Sequence, residues 1–237
     1  MANEYFKFKH FTVFHDRCAM KVGTDGVLLG AWADGGKKIL DIGTGTGLIS
    51  LMVAQRFESA MVDAVEIDSE AALQAEDNVK TSDYNKRIRI VNSSIQDFCT
   101  ECASKGIKYD NIVSNPPFYT EDTECPEDKR NAARHTDTLS YSDLFRAASS
   151  LLSEGGVFSI IVPYSSKEDI AFEACLSSLF VKNICYIKTT PRKQIKRVMM
   201  SFTNVRPENT LSEERCLMNP DGTKSDWYKQ LTDDFYL

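Results

Sequence analysis

Short apolar runs alternate with amphipathic stretches along most of this chain. Ile39-Leu40-Asp41-Ile42, led by Lys37-Lys38, is followed at once by Gly43-Thr44-Gly45-Thr46-Gly47. Leu48, Leu51, Met52 and Ala54 then fall at helical spacing, so residues 37–57 predict a strand, a glycine-rich turn and a helix. Met61 to Asp68 reads as a second strand ending in acids, and Ser69 to Thr81 as a helix capped by Asp68 or Ser69. Ile88 to Asn92 is a third strand, with Asp97 and a helical turn over Phe98 to Lys105 behind it. Tyr109 to Ser114 is a fourth. Leu139 to Leu152 predicts a helix capped by Ser140 and stopped by Gly155-Gly156. The unbroken apolar run Val157 to Pro163 predicts a fully buried fifth strand. Ser165 to Leu179 fits a helix. Val181 to Thr189 and Val198 to Val205 read as late strands joined by a basic turn over Thr190 to Arg197.

This alternation predicts an α/β fold: a doubly wound, Rossmann-like, mostly parallel sheet with one late antiparallel strand. Residues 1–35 stand before the first core strand as an amino-terminal extension long enough to form a lid, and 36–237 form the main domain. No internal repeat interrupts the pattern.

Composition narrows the class. The 237 residues are 42% hydrophobic and 26% charged, ordinary for one soluble domain with decoration. No apolar run reaches the ~18 residues of a membrane-spanning helix. Met1-Ala2-Asn3-Glu4-Tyr5 lacks the basic and apolar blocks of a secretory leader, so the expectation is a cytoplasmic protein. Seven cysteines, an odd number, fit reduced thiols better than a disulfide scaffold. The lone Cys99-x-x-Cys102 has no second pair or histidine cluster beside it, so no metal site is expected. The net charge of −6 argues weakly against a nucleic-acid partner, but distribution matters more than the sum. Basic residues gather at Lys7, Lys9 and His10, at Lys129, Arg130, Arg134 and His135, and at Arg192, Lys193, Lys196 and Arg197.

The glycine turn is spaced G-x-G-x-G rather than G-x-G-x-x-G, and Asp41 stands two residues before its first glycine. No P-loop lysine accompanies it. A carboxylate there repels pyrophosphate and suits a cation. Glu66 ends the second strand, where an acid pairs with ribose hydroxyls, and Asp97 can accept from an adenine amine. Together these describe a pocket for a positively charged adenosine, which S-adenosylmethionine fits.

Asn115-Pro116-Pro117-Phe118 follows the fourth strand. Two prolines remove two donors and fix two φ angles near −65°, stiffening a loop at the carboxyl end of a strand, where open α/β sheets bind ligands. Asn115 Oδ1 and the Pro116 carbonyl can accept the two N–H groups of an exocyclic amine. That turns the nitrogen toward tetrahedral geometry and aims its lone pair at a methyl donor. Phe118, with Tyr119 beside it, would stack on the base. No general base is demanded, so His135 is not assigned as one. A base in a duplex must be extruded, which favours a loop substrate. Arg134, Arg192, Lys193, Lys196 and Arg197 would then meet phosphates.

On these motifs the chain resembles the class I S-adenosylmethionine-dependent methyltransferases over Ile39 to Pro163, and Asn115-Pro116-Pro117-Phe118 resembles the loop of those acting on planar nitrogens. Phe11-Thr12-Val13, Lys21-Val22-Gly23-Thr24-Asp25-Gly26-Val27-Leu28-Leu29-Gly30-Ala31-Trp32, Ala133-Arg134-His135 and Leu139-Ser140 narrow the resemblance to the bacterial tRNA1(Val) adenine-37 N6-methyltransferases. The resemblance implies methylation of the adenine amine in the anticodon loop. Asp41, Gly43 and Gly45 would hold the methionine moiety, Glu66 the ribose, and Asp97 with Phe98 the adenine ring. Thr24 and Asp25 would close over the cofactor. Nothing is carried over beyond Arg206. Rival readings are a protein-glutamine methyltransferase, a guanine-N2 methyltransferase of ribosomal RNA, a DNA adenine methyltransferase and a non-enzymatic cofactor-binding assembly module. The first lacks its large helical domain here, the second its longer chain and the third its target-recognition domain. The intact proline loop disfavours the fourth.

Overall fold

A computed structural model describes residues 4–18, 21–117 and 139–237. Its centre is an eight-stranded sheet. The strands are β3 (Lys38–Ile42), β4 (Met61–Glu66), β5 (Ile88–Asn92), β6 (Tyr109–Ser114), β7 (Leu152–Pro163), β8 (Phe180–Lys188), β9 (Ile195–Thr203) and β10 (Leu211–Cys216). They lie in the order β10-β8-β9-β7-β6-β3-β4-β5. Only β9 runs against its neighbours; β10 lies parallel to β8. This is the expected doubly wound sheet with one late antiparallel strand.

Helices cover both faces. On one side α1 (Thr24–Trp32), α2 (Leu48–Arg56) and α3 (Ser69–Lys80) enclose a core with the hairpin β1 (Tyr5–Lys7) and β2 (Thr12–Phe14). On the other lie α4 (Ile95–Lys105), α5 (Tyr141–Leu151) and α6 (Lys167–Leu176). A last helix, α7 (Asp226–Thr232), closes against the first core through Tyr228. Leu51 and Met52 in α2 are fully buried, and each such side chain contributes roughly 1.5–3 kcal/mol of apolar transfer.

The polar punctuation agrees with the boundaries. Asp68 accepts from the Ala71 amide to cap α3, and Ser140 accepts from the Asp143 amide to cap α5. Gly106 ends α4 in the left-handed conformation at φ 63°.

Several expectations need adjustment. The stretch expected as a helical turn from Phe98 is a full helix beginning at Ile95, because Ser94 caps it. Helix α5 ends at Leu151, ahead of Gly155-Gly156, which lie inside β7 where its pairing with β6 shifts register. Residues 164–166 form a 3₁₀ turn before α6. Strand β9 begins at Ile195, so Arg197 lies in the sheet opposite Pro163 rather than in the turn.

Candidate active site

The parallel strands put their carboxyl ends along one edge of the sheet. β3 ends at Ile42 and enters the glycine turn. The Gly43 and Thr44 amides both donate to the Val65 carbonyl of β4, at 2.9 and 3.1 Å. Glu66 closes the turn from the next strand: its Oε2 accepts from the Gly45 amide at 2.8 Å, and its Oε1 from the Asp68 amide at 3.0 Å. Gly43 and Gly45 have φ of 70° and 55°, a region that side chains rarely adopt. A Cβ on either would meet nothing within 4 Å, so the space above both is open.

Beneath this turn lies Asp41, fully buried. Its Oδ2 accepts from Thr44 Oγ1 at 2.6 Å and Ser50 Oγ at 2.7 Å, while Oδ1 has no partner among the described residues. Burial pushes its carboxyl up to about 6; the two hydroxyls oppose the rise and the Glu66 charge adds to it. A half-satisfied buried carboxylate beside an open cradle is poised to receive a cation.

Next to β3, strand β6 delivers the proline loop. Ser114 Oγ donates to the Ile42 carbonyl at 2.8 Å, fastening the residue before Asn115 to the residue before Gly43. Asn115 is half-buried, Pro116 buried and Pro117 exposed. Phe118, Tyr119 and Arg134 lie outside the described residues, as do Lys129, Arg130 and His135.

The amino-terminal segment crosses the same edge. The Arg17 amide donates to Gln74 Oε1 of α3 at 3.3 Å, and burial, with added repulsion from Glu66 and Asp68, raises the Cys18 thiol to about 11. Thr24 is exposed at the start of α1, and Asp25 Oδ2 accepts from Arg197 Nε at 2.7 Å. Arg192, Lys193 and Lys196 are exposed in and beside the β8–β9 turn, where the Lys193 amide donates to the Thr190 carbonyl at 3.0 Å.

The two residues expected at the adenine are held in local structure at the start of α4. Asp97 forms a reciprocal cap with Ser94, accepting from its hydroxyl at 2.7 Å while its amide donates back at 3.1 Å. The Phe98 ring is 1% exposed and packs near Tyr109 in the core under α4. Thr44 and Ser50, which orient Asp41, had no signal beyond their types. Asn78, also unread, links three segments: its amide nitrogen donates to the Phe14 and Thr46 carbonyls, each at 2.9 Å, and its oxygen accepts from the Phe14 amide at 2.9 Å.

A separate open cleft of about 430 Å³, lined by Asp34, Asp110, Glu154, Gly155 and Lys182, lies by the amino ends of β6 and β8. Lys182 is ion-paired to Asp34 and Asp110 accepts from the Lys37 and Lys38 amides, so it offers no comparable cradle. Among the described residues no group of three or more His, Cys, Asp or Glu could hold a metal ion, and no helix is long and apolar enough to cross a membrane.

Comparison with known proteins identifies the family and the fold. The profile of the methyltransferase small domain matches residues 19–185. A tRNA1(Val) (adenine(37)-N6)-methyltransferase of Phocaeicola vulgatus is 45% identical, with 100% of this chain and 99% of the relative covered. Relatives of that name from Bacteroides fragilis and Photorhabdus laumondii are 43% and 42% identical, covering 100% and 98% of this chain and 99% and 95% of their own. Among solved structures, a predicted O-methyltransferase of Agrobacterium tumefaciens superposes with a TM-score of 0.69 at 19% identity, over 89% of this chain and 96% of its own. That likeness shows the class I methyltransferase fold. The chain therefore belongs to the methyltransferase small domain family and, within it, to the tRNA1(Val) (adenine(37)-N6)-methyltransferases.

Proposed function

We propose that this protein transfers a methyl group from S-adenosylmethionine to the N6 amine of adenine 37 in the anticodon loop of tRNA1(Val), in the cytoplasm. The observation that carries the reading is the junction of two loops. A glycine cradle over a half-satisfied buried Asp41 stands beside a rigid Asn-Pro-Pro segment, and Ser114 bonds one loop to the other. The nucleotide position follows the names of the full-length relatives.

The residues present suit the cofactor. The open space over Gly43 and Gly45 admits a ligand against bare backbone, and Asp41 Oδ1 offers a negative partner below it. Glu66, whose carboxylate accepts two amides at the turn, takes the ribose hydroxyls in this reading. The Ser94–Asp97 cap, at the end of β5, is the polar edge for the adenine, with Phe98 bracing it from the core. Thr24 and Asp25 close the pocket from α1. When bound, the cofactor supplies an electrophilic methyl on a sulfonium.

The chain's own part is to aim the amine. An adenine amine is a poor nucleophile because its lone pair spreads into the ring. Asn115 Oδ1 and the Pro116 carbonyl accept its two N–H groups and direct the lone pair out of the ring plane. Such orientation is worth ~7–11 kcal/mol in favourable intramolecular cases. Phe118, with Tyr119, stacks on the base, and the basic residues Arg134, Arg192, Lys193 and Lys196 meet phosphates. The methylated nitrogen is acidic and releases its proton to solvent.

The test is labelled methyl transfer to bulk tRNA from a strain lacking the protein, followed by nucleoside analysis. N6-methyladenosine in a valine tRNA is expected. N2-methylguanosine, or label only in protein, would replace the reading with one of its rivals.

A further inference from the structure

One aromatic on the active edge has no part in the reading above. Tyr164 follows Pro163, the last residue of β7, and opens the 3₁₀ turn; 45% of it is exposed. Register fixes its neighbours. Strands β6 and β7 are parallel with Ser114 opposite Ile160, so Pro117 stands three residues past one partner and Pro163 three past the other. The two chains leave the sheet side by side. On its other flank Pro163 pairs with Arg197, at the foot of the turn carrying Arg192 and Lys193. Tyr164 thus stands between the acceptor loop and the basic turn.

Its ring is held rather than loose. Tyr186 of β8, half-buried against the core, meets it edge-on with centroids 6.0 Å apart and planes at 69°. An edge-on support fixes a ring without covering it. Lys167 lies close by. Its ammonium is paired with Glu168 at 2.9 Å and held above its ordinary range by that partner first, then by the Tyr186 and Tyr164 phenols. Exposed aromatics interleaved with cations are the working surface of proteins that bind single-stranded nucleic acid, because every base has a stackable face. Turning one adenine into the pocket leaves its neighbours in the loop unstacked, with faces to offer.

We propose that Tyr164 is a substrate-contacting residue that stacks on the base of a nucleotide flanking the target adenine. The inference rests on the RNA-loop reading of the substrate. It adds a second anchoring point, displaced from the acceptor loop toward the basic turn, that registers the loop and tolerates any base.

The test uses RNA hairpins carrying the anticodon loop of tRNA1(Val), intact or with an abasic nucleotide on the 5′ or the 3′ side of the target adenine. Tyr164→Ala is expected to weaken binding of the intact hairpin about tenfold, the range of one lost stack, while cofactor affinity and melting temperature stay unchanged. Tyr164→Phe and Tyr164→Trp should bind like the wild type. At one flanking position the abasic change should cost the wild type about tenfold and the alanine variant nothing further. Binding of the alanine variant within twofold of wild type, or equal loss on intact and both abasic hairpins, would overturn the proposal. A wild-type protein that binds and methylates the hairpin while position 164 is silent sinks this inference alone. One that neither binds nor methylates any adenine-bearing hairpin sinks the substrate reading and this inference with it.

Discussion

The Asp25 carboxylate and the Arg197 guanidinium lie 2.7 Å apart, joining the first turn of α1 to the start of β9. From sequence the two residues belong to different ligands, one to the cofactor lid and one to RNA. Their contact makes Arg197 a poor probe of RNA binding alone. Reversing charge at Arg192 and Lys193 should weaken tRNA binding at least tenfold and flatten its salt dependence, with cofactor affinity unchanged. Arg197→Glu should weaken both ligands, and adding Asp25→Arg should restore part of the cofactor affinity. Titration of each ligand separately by calorimetry reads the split.

Asp41 makes the protein pH-dependent in a defined sense. Its folded pKa of about 6 lies above the ordinary aspartate value of 3.8, so the folded state binds the proton more tightly. The group's contribution is therefore fullest below about pH 4 and is lost as pH rises through about 6, a swing of about 3 kcal/mol by linkage. Denaturant titrations of the ligand-free protein should show that increment, superposed on the opposite trend of the surface carboxylates, and Asp41→Asn should abolish it. Affinity for S-adenosylmethionine should move the other way, falling as pH drops through about 6, with a proton released on binding near that pH.

Asn115→Ala should fold and bind cofactor normally yet lose at least a hundredfold in methyl transfer, in line with ~3–4 kcal/mol for one preorganised polar group. Ser114→Ala tests the strut behind it. Removing the bond to Ile42 should lower turnover by a smaller factor, with cofactor affinity held within about twofold. Single-turnover rates at saturating cofactor separate the two variants.

Gly45→Ala distinguishes a conformational glycine from a cradle. With φ at 55° and nothing within 4 Å of the added methyl, the ligand-free protein should lose only the ~1–2 kcal/mol of left-handed strain. Cofactor affinity should fall much further, because the methyl enters the ligand's space. Melting curves with and without cofactor check both halves.

The core strands were legible because buried parallel strands read as apolar runs, as in Ile39-Leu40-Asp41-Ile42 and Val157 to Pro163. The hairpin β1–β2 was not. Its strands have three residues each, and what holds them is distant: Phe8 and Phe11 packed with Tyr236 and Tyr84, and the Asn78 amide. Strand β10, Leu-Ser-Glu-Glu-Arg-Cys, is mostly exposed and owes its form to the free edge of β8. At the site, Asp41, Glu66 and the glycines were read from spacing, whereas of the two hydroxyls that orient Asp41 one lies within the glycine turn and the other, Ser50, arrives from a helix the pattern cannot aim. The burial of the Phe98 ring was legible too: Ile95, Phe98 and Cys102 share one helical stripe.

Asn78 acts as a rivet through three layers, with β2 outside, α3 between and the Thr46 carbonyl within. The leading strands are thereby part of the frame that keeps the glycine turn in shape, not an appendage to it. A shortened chain starting at α1 would keep every residue assigned to chemistry here and still release the bolt behind its donor pocket.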